Sequence, residues 1–342
     1  NNTGNITVGK TLEISTPTSS DPTKTTTYYA IGMAAGYTPE SGTGYTGNIT
    51  NAGTINVNGD GGSIGMYGTE RGTRVINNGT INLRANNSVG MYLDNGAYGE
   101  NNGTIQTIGT GLKKVTGVVI KNGSRFKNNG TVNLTSYTGT FSLGNKSVGI
   151  YSKASTVNGG TLKLAYNNAH TGVGIFYDGG TVTNNTVVQH TGKNLVNIFS
   201  KGVILTNTAN QNVQENSLGI YADGGEVINS GTITLTGDKS VAFYLDNGAK
   251  LSAIGTINGT VATNYKVGIY AKNGRIEGTG TYNFAVDNGV AMYLDNNGIN
   301  DFRGTLNMAA NSSSGKRAVG IYTTPSTTAR NIDTNINLTG TD

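Results

Sequence analysis

Apolar and polar residues alternate along this chain in runs of only four to six, and glycine or asparagine separates the runs. In Val89-Gly90-Met91-Tyr92-Leu93-Asp94 the apolar residues fall on every second position, which assigns Val, Met and Leu to one face of a strand and Gly, Tyr and Asp to the other. In Gly79-Thr80-Ile81-Asn82-Leu83 the same reading sends Ile and Leu inward and Thr and Asn outward. No segment carries the 3.6-residue period of an amphipathic helix. The pattern predicts an all-β protein made of short strands.

Both phrases repeat. The first recurs as Ile64-Gly65-Met66-Tyr67, Val148-Gly149-Ile150-Tyr151, Leu218-Gly219-Ile220-Tyr221, Val267-Gly268-Ile269-Tyr270 and Val319-Gly320-Ile321-Tyr322. Looser copies, such as Ile31-Gly32-Met33-Ala34 and Val196-Asn197-Ile198-Phe199, bring the total to about twelve. Steps between copies run from 22 residues (Asn197 to Gly219) to 33 (Gly32 to Gly65). The second phrase lies between them, as in Gly53-Thr54-Ile55-Asn56-Val57 and Gly130-Thr131-Val132-Asn133-Leu134, and a third short strand links the two. A period this short cannot hold a strand–helix–strand crossover, which needs roughly 30 residues or more. The expected fold is therefore a right-handed, three-sided parallel β-helix of about 12 coils, right-handed by the rule for parallel crossovers.

Composition sharpens this. Of 342 residues 53 are glycine, none is cysteine or tryptophan, and 13% are charged. The length alone suggests two or three domains, but the repeat argues for one solenoid through residues 1–342. Insertions are expected near 16–27, 34–47, 136–146, 309–317 and 323–329. The lack of cysteine excludes disulfide frameworks, thiolate metal sites and thiol catalysis. A net charge of +5 without any Lys/Arg run longer than two argues against a nucleic-acid partner. No apolar stretch approaches the ~20 residues of a membrane-spanning helix. The sequence opens in the middle of its own pattern, and the reading is of a piece of something longer.

Stacking coils turns each phrase position into a column. One column is aromatic, running through Tyr67, Tyr92, Tyr221, Tyr244, Tyr270, Tyr293 and Tyr322 beside a column of Gly or Ala. Such rings can stack on sugars, but rings ~4.8 Å apart also stack on one another, and the second reading is preferred because nearly every coil has one. A second column alternates in charge: Asp94, Lys121, Lys153, Asp178, Lys201, Asp223, Asp246, Lys272 and Asp295. It reads as a surface ion-pair ladder that neutralises most carboxylates able to serve as catalytic acids. A third column, through Asn56, Asn82, Gln106 and Asn133, suits an amide ladder on the outer face. The match of Gly42–Gly47 to G-x-G-x-x-G has no helix after it. His170 and His190 lack carboxylate partners at ligand spacing and are expected on the surface. No catalytic residue, metal ligand or cofactor is assigned. The candidate ligand contacts are exposed aromatics on the insertions: Tyr37 and Tyr45, with Glu40 nearby, and Tyr137 and Phe141.

The alternation of N-N-G-T-I-N-L with S-V-G-M-Y-L-D-N-G, at Asn77–Leu83 and Ser88–Gly96, resembles the passenger domains of fusobacterial type V autotransporters, which are large outer-membrane adhesins. The resemblance implies display on the outer face of the bacterial outer membrane, with membrane contact only through a C-terminal β-barrel outside this sequence. It implies a monomeric, non-enzymatic passenger that binds a host-cell glycan, a host protein receptor or a partner bacterium, with a role in virulence. Two other readings stay open: a β-helical polysaccharide lyase or glycosidase, which needs clustered carboxylates absent from this pattern, and a spacer with no ligand of its own.

Overall fold

A computed structural model describes residues 1–134, 147–153, 155–158, 161–164, 172–259, 265–285, 288–311, 318–325 and 334–341. The described residues form strands and turns without an α-helix, and all but one of the strand pairings are parallel. Two compact units divide the chain, residues 1–165 and 166–342.

In the N-terminal unit each turn has three sides. The first side is the V-G-x-Y phrase, for example Ile64–Gly68, Val89–Leu93 and Thr116–Ile120. The second is a linking strand such as Arg74–Asn77, Tyr98–Asn101 or Arg125–Asn128. The third is the G-T-I-N phrase, as in Thr54–Val57, Thr80–Leu83 and Thr104–Thr107. Register is exact from turn to turn, with Ile55↔Ile81 and Asn56↔Asn82 on the third side and Tyr67↔Tyr92 on the first. Met66, Met91, Val75, Phe126, Ile81 and Ile105 from the three sides are fully buried and make the core. The C-terminal unit repeats the plan, with Val241–Asp246, Val267–Ala271 and Gly289–Leu294 on its first side. Among the described residues the solenoid has about nine turns, slightly fewer than the expected 12, while all twelve copies of the first phrase form strands. In three copies the strand runs on into the next side without a break: Gly172–Asn184, Leu195–Asn207 and Leu218–Asn229.

The glycine of the first phrase does not lie where alternation put it. A Cβ on Gly90 would come 2.6 Å from Ile105 Cγ2 and 2.6 Å from the carbonyl oxygen of Gly117 in the next turn. Gly90 and Met91 thus both face the core, and Val89 is pushed out to a half-exposed position. Two successive inward residues mark a kink in the strand, and at Gly90 itself the isoleucine and the neighbouring carbonyl leave no room for a Cβ. The aromatic column therefore has no glycine trough alongside it. In the C-terminal unit the same position is glycine at Gly174, Gly219 and Gly268 and holds the buried Asn197, Ala242 and Ala291 in other copies.

The outer amide ladder is present: Asn82 donates to Asn56 at 2.9 Å and Gln106 to Asn82 at 2.9 Å. Asn307 donates to Asn283 at 2.8 Å and Asn337 to Asn307 at 2.9 Å. A second ladder lies inside the solenoid, at the corner between its second and third sides. Asn2, Asn51, Asn77, Asn101 and Asn128 are linked side chain to side chain at 2.7–2.8 Å, each donating to the next turn. Asn51, Asn77, Asn101 and Asn128 have no solvent exposure. Their carbonyls also hold the next corner, for Asn102 N and Gly103 N both donate to Asn77 O, at 2.7 and 2.9 Å. Asn184, Asn207 and Asn229 repeat the arrangement in the C-terminal unit at 2.6–2.7 Å.

His190 is buried at 6% exposure, contrary to its expected surface position. It closes the third-side strand Val187–His190, and its Nδ1 lies 3.0 Å from the carbonyl oxygen of Gly192, to which it donates. Burial holds the imidazole below its ordinary pKa, outweighing that hydrogen bond. His170 lies outside the described residues.

Two predictions follow from this core. Asn101→Ala strands a donor on Asn77 and an acceptor on Asn128 in a dry corner, so it should cost about 2–4 kcal/mol in urea unfolding. Asn102→Ala, one residue along and exposed, should cost less than about 1 kcal/mol. For His190 the folded pKa is depressed, so its contribution is complete above the ordinary value of 6.5 and is lost as pH falls through the lowered folded value. Melting followed by circular dichroism should show the wild type losing stability on acidification below about pH 6.5, with His190→Gln removing that part of the slope.

Candidate functional site

The insertion at 34–47 leaves the solenoid at the end of strand Ile31–Ala35 and returns at strand Asn48–Asn51. Gly36 makes the exit possible: its φ is +79°, and a Cβ there would meet the carbonyl oxygen of Thr69 at 1.9 Å. Beyond it the loop folds on itself. Tyr37 N donates to Tyr45 O and Tyr45 N to Tyr37 O, both at 2.9 Å, which forms a one-bridge antiparallel clip. The clip sets the two rings 6.4 Å apart with 27° between their planes. They remain 61% and 67% exposed, so the pair is held by backbone rather than by burial.

Glu70 is the strut beneath this loop. Its Oε1 accepts from Thr38 Oγ1 at 2.5 Å and from Asn95 Nδ2 of the following turn at 2.6 Å. Gly44 lies flat on the same side chain, where a Cβ would come within 2.2 Å of Glu70 Cδ. At the loop's base Gly47 N donates to the buried Thr73 hydroxyl at 3.2 Å. Sequence reasoning named Tyr37 and Tyr45, and the structure brings them together. It missed Glu70 and Thr73, because nothing in a repeated phrase shows which of its residues props an insertion. Glu40 lies in the same loop; Tyr137 and Phe141, on the insertion 136–146, lie outside the described residues. Residues 312–317 and 326–329 of the other two late insertions also lie outside them. The stretch 16–27, expected as an insertion, lies in an antiparallel hairpin in which Leu12–Ser15 pairs with Thr25–Tyr28.

The aromatic column packs ring against ring, edge to face from Phe176 to Tyr244 and stacked from Tyr244 to Tyr293. In the C-terminal unit Phe176, Phe199, Tyr221, Tyr244, Tyr270, Tyr293 and Tyr322 follow one another with centroids 4.8–4.9 Å apart. The charge column differs from the expected ladder. Lys272 pairs with Asp246 at 3.5 Å, but Lys121 lies over the Tyr92 ring, 5.3 Å from its centroid. Three of the carboxylates accept from turn asparagines reaching back one coil, Asn122 to Asp94 at 2.6 Å, Asn247 to Asp223, and Asn273 to Asp246 at 2.9 Å, while Asp295 accepts from Tyr270 and Thr324. Partial burial alone would raise the Asp246 pKa, yet the bonds from Asn273 and the backbone of Asn247, with Lys272, keep it below the ordinary carboxylate range. Among the described residues no three His, Asp or Glu side chains gather in a group able to hold a metal ion.

Residues 1–102 match a known family. Its description is the BigA third pectate lyase-like domain. No curated protein and no solved structure matches the chain. The matched segment contains the Tyr37–Tyr45 loop, its Glu70 strut and the rings of Tyr67 and Tyr92. A pectate lyase-like domain agrees with the parallel β-solenoid of the N-terminal unit.

If Glu70 positions the loop, Glu70→Ala should speed amide exchange at Tyr37 and Tyr45, whose mutual bonds then open more often. The unfolding free energy should change by less than about 1 kcal/mol, because the strut is outside the core.

Proposed function

We propose that this chain is a passenger segment of a bacterial surface adhesin, a stiff solenoid that presents the Tyr37–Tyr45 loop to a ligand on a host cell or another bacterium. The single observation that carries this reading is the exposed tyrosine pair, clipped to itself by two backbone hydrogen bonds and braced on Glu70. Two amphipathic rings fixed in advance lose little conformational entropy on binding. The family match over residues 1–102 supports the solenoid, and the repeat style supports display by type V secretion at the outer face of a fusobacterial outer membrane. The ligand on this reading is a glycan or a protein receptor, and adhesion of this kind serves virulence.

A second reading, cleavage of an acidic polysaccharide, is favoured by one observation, the pectate lyase-like description of the matched domain. Two measurements separate them. Purified chain should bind epithelial cells or partner bacteria, and Tyr37→Ala/Tyr45→Ala should weaken binding about tenfold or more, as expected for an aromatic hot spot. Binding unchanged by the double substitution would refute the loop as the contact, and no binding to any cell type leaves a spacer. Release of unsaturated or reducing ends from polygalacturonate would establish the lyase instead.

A further inference from the structure

A groove of about 490 Å³ opens on the first side of the N-terminal unit, and its lining shares no residue with the Tyr37–Tyr45 loop. Its floor is the pair Tyr67 and Tyr92, with ring centroids 5.8 Å apart and planes tilted by 33°. One wall is Tyr29, at the foot of the antiparallel hairpin, with Ile31 beside it; these are 58% and 38% exposed. Tyr29 can stand there because Gly62 lies beneath it, where a Cβ would come 3.0 Å from the Tyr29 ring. Asp94 and Lys121, from successive turns, complete the lining.

This stretch of the aromatic column differs from the rest. The two tyrosines are bounded in register by Ala34 on one side and Val119 on the other, so the stack is interrupted at both ends. Tyr67 has only Ala34 beside it in the preceding turn, so that side of its ring has no aromatic neighbour in register, while Lys121 lies over the Tyr92 ring. A column that is structural along most of its length thus becomes a bounded platform at one place.

The polar groups narrow the ligand. Asp94 spends Oδ1 on the backbone N–H of Asn95 and on Asn122 Nδ2, at 2.8 and 2.6 Å, which fixes the carboxylate in orientation. The Lys121 ammonium lies 5.3 Å from the Tyr92 centroid and within electrostatic reach of Asp94. An anionic ligand meets the aspartate, a cationic one meets the lysine, and a wholly apolar one strips water from both charges without replacing it. A neutral pyranose satisfies all three demands: one face of C–H groups for the rings, and hydroxyls that donate to a carboxylate and accept from an ammonium. The cavity lies within the ~300–1,000 Å³ range of small-ligand sites. We propose that the groove binds a neutral hexopyranose unit of a glycan, packed against the rings of Tyr29, Tyr67 and Tyr92 and hydrogen-bonded by Asp94 and Lys121. The inference does not rest on the loop reading above.

Saturation-transfer NMR on the whole chain tests it, using methyl β-D-glucopyranoside, methyl β-D-galactopyranoside and sodium glucuronate at about 10 mM, a concentration suited to millimolar dissociation constants. The informative variants are Tyr67→Ala and Tyr92→Val, which introduce the residue types the column already carries at Ala34 and Val119, so the solenoid is preserved. A neutral glycoside should receive saturation on its C–H protons, falling about fivefold or more in both variants. Tyr37→Ala should leave the signal unchanged, which separates this site from the loop. The proposal is overturned by absence of transfer to both neutral glycosides, by transfer insensitive to the two groove substitutions, or by preference for glucuronate.

Discussion

Everything in this protein depends on equivalent residues of successive turns lying one strand spacing apart, ~4.8 Å. At that distance a side chain's principal neighbour is its own counterpart above and below. A position is then acceptable only if its residue packs against itself. Asparagine does so by passing an amide hydrogen bond from turn to turn, and this is why the inner corner of the solenoid can be both polar and dry. Each amide in the row from Asn51 to Asn101 donates to the next and accepts from the one before. The same constraint explains the glycine beside the core isoleucine, where the limit is set by the carbonyl oxygen of the following turn.

That constraint made the fold readable and the details hard to read. Strand alternation and the repeat of two phrases were enough for a three-sided parallel solenoid. Alternation misplaced Gly90 and Val89, because a kink that turns two successive residues inward leaves no trace in a binary pattern. The outer amide ladder was visible since Asn56 and Asn82 sit at polar positions of a clear strand. The inner ladder escaped because Asn77 and Asn101 sit at turn-like positions, where asparagine is usually explained by backbone conformation alone. His190 was misjudged for a related reason: a histidine can be buried with one backbone carbonyl as its partner, and sequence spacing does not show that carbonyl.

The candidate sites arise where the repetition fails. Tyr37 and Tyr45 stand on an insertion that the solenoid tolerates because Gly36 can leave the wall under Thr69. The groove exists because the aromatic column lapses at Ala34 and Val119 and because a hairpin brings Tyr29 over Gly62. Sequence showed the first kind of interruption as a long step between repeats. The second kind needed the register, since only the pairing of Tyr92 with Val119 reveals that the stack stops there.

The direction of the two amide ladders has a consequence of its own. In the inner row every donor faces the later turn, and in the outer row, from Gln106 through Asn82 to Asn56, every donor faces the earlier one. In the C-terminal unit the two directions recur on different turns, Asn184 to Asn207 to Asn229 running one way and Asn337 to Asn307 to Asn283 the other. A single row of aligned amides would accumulate a dipole as turns were added, as a helix does. Where the two rows run through the same turns, as in the N-terminal unit, they oppose one another, so each added turn there builds up less dipole than a single row would.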